Sequence, residues 1–276
     1  MKVLRKPILF FVLMFSITAC RKTQFVCDQH YINGINYLLD DNLEQARDEF
    51  ESSIKSNPKN AYGYYGLGKC YVYAGENQKA IRLLNKAIEI KPDFTMAYFT
   101  KADIKAVEGD PEDAIDDFTK AIDLKKDFVA AYYYRGTEYG HLGNRKNAIE
   151  DMDKVIDLKP YFQAAYRARG AYKSEEGDIN GAIDDYTEVI KLKPADIDMF
   201  YRRGVLYARQ KKYQLSIDDF TKAINLKTDI NRALILRGMD EINLNMKAAA
   251  CNDFEKAESL GMADAAQYIA RYCNGK

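Results

Sequence analysis

An all-α solenoid of stacked helical hairpins is the fold this 276-residue sequence predicts, and three observations carry it. A 34-residue unit recurs seven times between Cys27 and Asp264 without insertion, a period at which repeats bury one continuous core by stacking on their neighbours. Two positions stay small in every copy. Position 8 reads Gly34, Gly68, Ala102, Gly136, Gly170, Gly204 and Gly238, and position 20 reads Ala46, Ala80, Ala114, Ala148, Ala182, Ser216 and Ala250. Around them the apolar residues fall at i, i+4, i+7, the spacing of one helix face.

The chain opens with Lys2, Arg5 and Lys6 and no acid, then the apolar run Ile8 to Phe15, then Ser16-Ile17-Thr18-Ala19-Cys20. A basic start, a short apolar run and small residues before a cut make residues 1–19 a secretory signal. The run is too short to span a bilayer comfortably. Ile17-Thr18-Ala19-Cys20 resembles the lipobox of bacterial lipoproteins, which implies lipid attachment at Cys20 as the mature N-terminus. An ordinary signal with an incidental cysteine is the alternative. In such lipoproteins an Asp after the cysteine marks inner-membrane retention. Arg21 stands here, so the resemblance implies the outer membrane, facing the periplasm. Residues 20–26 are then a lipid-anchored tether, reaching about 20 Å when fully extended.

Seven repeats follow, at 27–60, 61–94, 95–128, 129–162, 163–196, 197–230 and 231–264. Positions 4, 8 and 11 share one face of a first helix, as Tyr64, Gly68 and Tyr71 in repeat 2. A second helix carries positions 20, 24, 27 and 28, in repeat 3 Ala114, Phe118, Ala121 and Ile122. Small residues at 8 and 20 let the two backbones approach, and a bulky side chain at 20 would overpack that contact at a cost of ~1–3 kcal/mol. Position 15 is Gly75, Gly109, Gly143 or Gly177 in repeats 2 to 5, suited to a left-handed helix end. Asp110-Pro111 reads as an N-cap before a first-turn proline. Pro58, Pro92, Pro160 and Pro194 at position 32 are expected to stop the second helix.

These residues resemble the tetratricopeptide repeat (TPR) family over most of the chain. Repeat 2 alone carries Tyr64, Leu67, Gly68, Tyr71, Ala80, Leu84, Ala87 and Pro92 at signature positions. The resemblance implies a right-handed α-α superhelical solenoid, and residues 265–276 continue the register as a C-terminal capping helix. Departures are His30 and Leu234 at position 4, usually aromatic, and Lys126, Thr228 and Met262 at position 32, usually proline.

Position 7 is Lys101, Arg135, Arg169, Arg203 and Arg237 in repeats 3 to 7, and position 23 is Asp117, Asp151, Asp185, Asp219 and Asp253. In repeat 2 both turn apolar together, as Leu67 and Leu83, so the two positions are expected to touch as a structural ion pair. Nothing points to catalysis. The two histidines, His30 and His141, lie far apart, and Cys27-x-x-His30 lacks a second pair to complete a zinc site. The sequence contains no phosphate loop, nucleophile elbow or dinucleotide fingerprint. No enzyme activity, metal or cofactor is expected. Losing Lys2, Arg5 and Lys6 with the signal leaves 38 basic against 41 acidic residues, a net charge of −3, which offers nucleic acid no electrostatic footprint.

The TPR resemblance implies a concave groove along the first helices, lined by positions 2, 5, 9, 12 and 13. Position 5 supplies Tyr65, Phe99, Tyr133, Arg167 and Tyr201; position 9 supplies Lys69 and Asp103; position 13 supplies Tyr73, His141 and Arg209. These are the expected partner-binding residues. The same tyrosines would serve equally as packing between successive first helices. The chaperone-binding carboxylate clamp of some TPR domains needs Lys at 5 with Asn at 9, which no repeat has, so heat-shock chaperones are not expected partners. Arg167, Arg202, Arg209 and Arg232 make the C-terminal half basic, suited to an acidic stretch of a partner. The function expected is a membrane-anchored protein–protein interaction scaffold of the bacterial cell envelope. A binding module for a non-protein ligand such as a glycan is the alternative.

Export places a chain where disulfides form and persist. With Cys20 lipidated, Cys27, Cys70, Cys251 and Cys273 remain. Cys251, at position 21 of repeat 7, and Cys273, in the cap, are the expected disulfide, whose loop would contribute on the order of 3 kcal/mol. Two small thiols filling core gaps are the alternative.

Overall fold

A computed structural model of the chain describes residues 28–226 and 230–274. The expected signal, Cys20 and its tether lie outside the described residues, as does Cys27. The described residues form fifteen α-helices and no strand. In chain order these are α1 (Gln29–Leu39), α2 (Leu43–Ser56), α3 (Ala61–Ala74), α4 (Asn77–Ile90), α5 (Thr95–Glu108), α6 (Pro111–Leu124), α7 (Val129–His141) and α8 (Arg145–Leu158). They continue with α9 (Gln163–Glu176), α10 (Ile179–Leu192), α11 (Ile197–Arg209), α12 (Tyr213–Asn225), α13 (Ile230–Asn243), α14 (Lys247–Ser259) and α15 (Ala265–Tyr268).

The chain divides into two compact units, Met1–Glu138 and Tyr139–Lys276. In the first, α1 packs on α2, α3 on α4 and α5 on α6, while α2 meets α3 and α4 meets α5. In the second, α9, α11 and α13 pair with α10, α12 and α14, and α8, α10 and α12 each lean on the next first helix. This is the tandem hairpin arrangement of TPR arrays.

The hairpins close where the side chains are smallest. Position 20 is fully buried in all seven repeats. Position 24 fills the space beside it with Phe50, Leu84, Phe118, Met152, Tyr186, Phe220 and Phe254, all buried. A Cβ on Gly34, Gly170 or Gly238 would stand 2.7, 2.7 or 2.5 Å from the aromatic ring at position 24 of its own repeat. Large side chains at position 8 are thus sterically excluded.

Two punctuation signals act differently from the reading above. Position 15 is left-handed in every repeat, including Asp41 (φ 55°), Lys211 (φ 58°) and Asn245 (φ 61°), which stand where repeats 2 to 5 have glycine. Helix packing therefore imposes the turn, and Lys211 pays a Cβ clash of roughly 1–2 kcal/mol for it. Proline at position 32 is not required to stop the second helix, because α6 ends at Leu124, ahead of Lys126, where α4 ends ahead of Pro92. Asp110 occupies its N-cap position but accepts no side-chain bond there.

The basic residue at position 7 and the Asp at position 23 meet, and a third group joins them. Arg203 donates from Nε and Nη2 to Asp219 at 2.8 Å each, and Arg237 does so to Asp253 at 2.7 Å each. Arg169 reaches Asp185 at 3.0 and 2.5 Å, and Lys101 lies 2.9 Å from Asp117. The remaining donor turns to position 25 of the preceding repeat. Arg135, Arg203 and Arg237 donate to Thr119, Thr187 and Thr221 at 3.0, 2.9 and 2.9 Å, and Arg169 to Asp153 at 2.6 Å. Arg135, Arg169 and Arg203 also lie over Tyr132, Tyr166 and Phe200, at position 4 of the same helix. Arg169, Arg203 and Arg237 thus each tie a hairpin to its own second helix and to its predecessor. In repeat 2, Leu67 and Leu83 join the cluster around Phe50 and Cys70 instead. Burial pushes the Cys70 thiol up to about 12, leaving it inert.

Repeat 7 breaks this economy. Position 11, which is Lys105 or Lys173 bridging to the position 23 Asp in repeats 3 and 5, is Glu241 here. Burial and the nearby Asp253 and Asp240 carboxylates push its carboxyl up to about 7, against a smaller opposing pull from Arg237. A carboxyl raised in the folded state contributes its full stability below the unfolded value and loses it as pH rises through the folded one. Glu241→Gln should therefore stabilise repeat 7 by up to about 3 kcal/mol at pH 8 and by little at pH 4. Thermal melts at the two pH values check this, and a gain independent of pH would refute it.

The expected cap is α-helical over α15 and continues through Ile269–Cys273 as a single π-helical turn. The stretch sets Tyr268 and Tyr272 against Phe254, with ring centroids 5.4 and 6.3 Å away. Cys273 is disulfide-bonded to Cys251 of α14, with Cα atoms 5.7 Å apart. The cap is thus fastened to the last hairpin by apolar packing and a covalent bond.

Candidate functional site

The expected groove residues do not behave as one surface. Tyr65 and Phe99 are only 3% and 4% exposed, so neither is a groove floor. Tyr65 packs on Phe94 at 5.0 Å with its hydroxyl 3.5 Å from Thr100 Oγ1, and Phe99 sits among Phe118, Phe128 and Tyr134. The bulky residue at position 34, Phe94 or Phe128, folds back over position 5 and seals it. Lys69 stands over the Tyr73 ring at 5.0 Å, both half-buried, and Asp103 and Tyr133 are likewise half-buried in the first unit. His141 is exposed at the last position of α7.

Arg167 is not a free anchor for a partner's acid. It is ion-paired with the buried Asp196 and, at 3.4 Å, with Asp198. Asp198 also accepts from Arg202 Nε at 2.7 Å. His30, in place of the first aromatic, holds Glu49 with Nδ1 2.6 Å from Oε2.

The second unit brings Tyr201 and Arg209 together in a cavity of about 510 Å³, within the range of ligand pockets. First helices α11 and α13 build its two sides because the residues at 5, 6 and 9 face along the groove rather than into the hairpin. Its floor is apolar, from Tyr201, Val205, Ile235 and Leu236, and Met262 at the end of repeat 7 and Tyr268 of the cap also line it. Arg202, Arg209 and Arg232 stand around it, and Asp264 is the one acid in its lining. In repeat 6 the position 5 residue, Tyr201, is half-buried and lines this cavity. The end residues Met262 and Tyr268 were not legible as a site in the sequence; the signal that existed was the clustering of Arg209 and Arg232 on positions 13 and 2. Among the described residues no group of three or more metal-ligating side chains converges.

The tetratricopeptide repeat profiles match residues 61–94, 97–128, 129–162 and 197–230, and a further TPR repeat profile matches 173–211. A stretch of 69 residues is 29% identical to Superkiller protein 3 of Saccharomyces cerevisiae. Another of 67 residues is 31% identical to a DnaJ homolog subfamily C member 7 homolog of Schizosaccharomyces pombe. These matches cover 25% and 24% of this chain but only 5% and 14% of those proteins. Among solved structures, YrrB, described as a TPR protein with an unusual peptide-binding site, aligns with TM-score 0.62 at 24% identity. That alignment covers 67% of this chain and 95% of YrrB.

Proposed function

The chain belongs to the tetratricopeptide repeat family, whose arrays generally act as non-catalytic interaction scaffolds, and from that premise we propose a lipid-anchored protein–protein interaction scaffold of the bacterial cell envelope. Cys20 carries the lipid after the signal is removed, and the array faces the periplasm from the outer membrane, with repeat 1 nearest the headgroups. A segment of a partner protein binds along the first helices, at the C-terminal cavity in particular. No catalytic role is assigned; the buried carboxylates Asp185, Asp219 and Asp253 each hold an arginine.

The observation that carries this placement is the run from Lys2 to Cys20, with basic, apolar and small-residue segments in the order of a lipoprotein signal. The Cys251–Cys273 bond supports it, because disulfides persist in oxidising compartments outside the cytosol. The test is Cys20→Ser in the full chain, followed by detergent-phase partitioning and mass measurement. An uncleaved precursor or a soluble protein is the expected outcome. A mature-size species still entering the detergent phase would refute lipidation.

A further inference from the structure

We propose that the cavity between α11 and α13 docks an extended acidic segment of a partner protein, in which two carboxylates about five residues apart flank an apolar side chain. The proposal rests on the scaffold reading above and adds the chemistry of the ligand to it.

The charge at the mouth is unequal in kind. Five arginines of repeats 5 to 7 are matched: Arg169, Arg203 and Arg237 hold Asp185, Asp219 and Asp253, and Arg167 and Arg202 hold Asp196 and Asp198. Arg209 and Arg232 are the exceptions on this face, both exposed and neither ion-paired among the described residues. A guanidinium with five donors and no carboxylate is suited to bidentate recognition of one. Asp264 disfavours a long run of acids at the mouth, so the complement is two carboxylates rather than a polyanion.

The spacing follows from the repeat. Arg209 stands at position 13 of repeat 6 and Arg232 at position 2 of repeat 7, on neighbouring first helices that touch. Eleven positions of helix rise separate them along the axis, roughly 16 Å. An extended peptide covers that distance in about five residues. Between the two cations lies the apolar floor of Tyr201, Val205, Ile235 and Leu236, which a Leu or Phe side chain would cover. A lone phosphate would engage one arginine and leave that floor in water. Nucleic acid or an anionic membrane would need many more cations than two, since affinity there scales with the number of charges neutralised.

The experiment uses the full chain in mild detergent and two fluorescently labelled, end-blocked peptides. One carries Asp and Glu five residues apart with Leu and Phe between them; the other replaces the acids by Asn and Gln. Fluorescence anisotropy should show the acidic peptide binding at least ten-fold tighter at low salt, with the preference shrinking as salt is raised. R209E/R232E should lose that preference at least ten-fold. K120E/K154E, the same charge change on exposed residues of second helices, should keep it. If R209E/R232E does not melt cooperatively, R209Q/R232Q takes its place with the same expectation. Equal affinity for both peptides, no binding of either, or equal losses in the two reversal variants would overturn the acidic assignment. Binding to vesicles of anionic lipid that is sensitive to R209E/R232E, without peptide binding, would overturn it in favour of a membrane. The anchoring reading is tested separately at Cys20 and stands or falls on that result.

Discussion

Replacing Arg203 by methionine should lower the unfolding free energy by about 3–5 kcal/mol, among the largest losses available to a single substitution in this array. The reason lies in what remains. Asp219 is 5% exposed, and its carboxyl is already pushed above its ordinary value by burial, against the pull of Arg203. Removing the guanidinium takes away two donors at 2.8 Å and leaves a buried carboxylate with no counter-charge. It also cuts the 2.9 Å bond to Thr187, so repeat 6 loosens from repeat 5. The carboxyl would rise further in the variant. A group raised in the folded state is least costly at low pH, so the deficit should be largest at neutral pH and shrink as pH falls. The double change Arg203→Leu, Asp219→Leu should recover most of the loss, because repeat 2 already runs with Leu67 and Leu83 at these positions. Urea unfolding of the three proteins at pH 5 and pH 7.5 decides it. A single variant within about 1 kcal/mol of the parent would show that the pair is effectively solvated.

Phe118→Ala should cost a similar ~3–5 kcal/mol, for an unrelated reason. Phe118 is fully buried at position 24 of repeat 3, stacked on Tyr134 at 6.1 Å and tilted against Phe99 at 5.6 Å. Its neighbours Ala102, Ala114, Ala121 and Ala131 are too small to collapse into the space it vacates. The truncation therefore leaves a cavity as well as a loss of buried apolar area. Phe118→Leu and Phe118→Met should lose less than about 1.5 kcal/mol, since Leu84 and Met152 fill the same position in repeats 2 and 4. Thermal unfolding of the three variants orders them, and an alanine variant no worse than the leucine one would mean that the site relaxes.

The hairpin itself was legible in the sequence because its contacts recur within each repeat. Small residues at 8 and 20 and a large one at 24 are sampled seven times, and the basic–acidic pair at 7 and 23 five times, so the pattern averages out local noise. The joint switch to Leu67 and Leu83 exposed the pairing in the same way. Contacts between repeats were less readable. The donor from position 7 to Thr119, Thr187 or Thr221 has a signal at position 25, but Asp153 and Asn85 stand there in other copies and blur it.

By itself the sequence determined the repeat, its two helices, the ion-pair ladder and the cysteines that meet at the cap. Only the tertiary structure decided which face of the first helices is available to a partner. Tyr65, Phe99 and Tyr201 share position 5, yet Phe94 and Phe128 cover the first two while Tyr201 opens onto a cavity. Arg167 and Arg209 read alike as groove cations, yet Asp196 and Asp198 occupy the first. Periodicity reports the contacts a repeat makes in every copy. Exposure and free charge depend on the side chains of the neighbouring copy, and those differ from one repeat to the next.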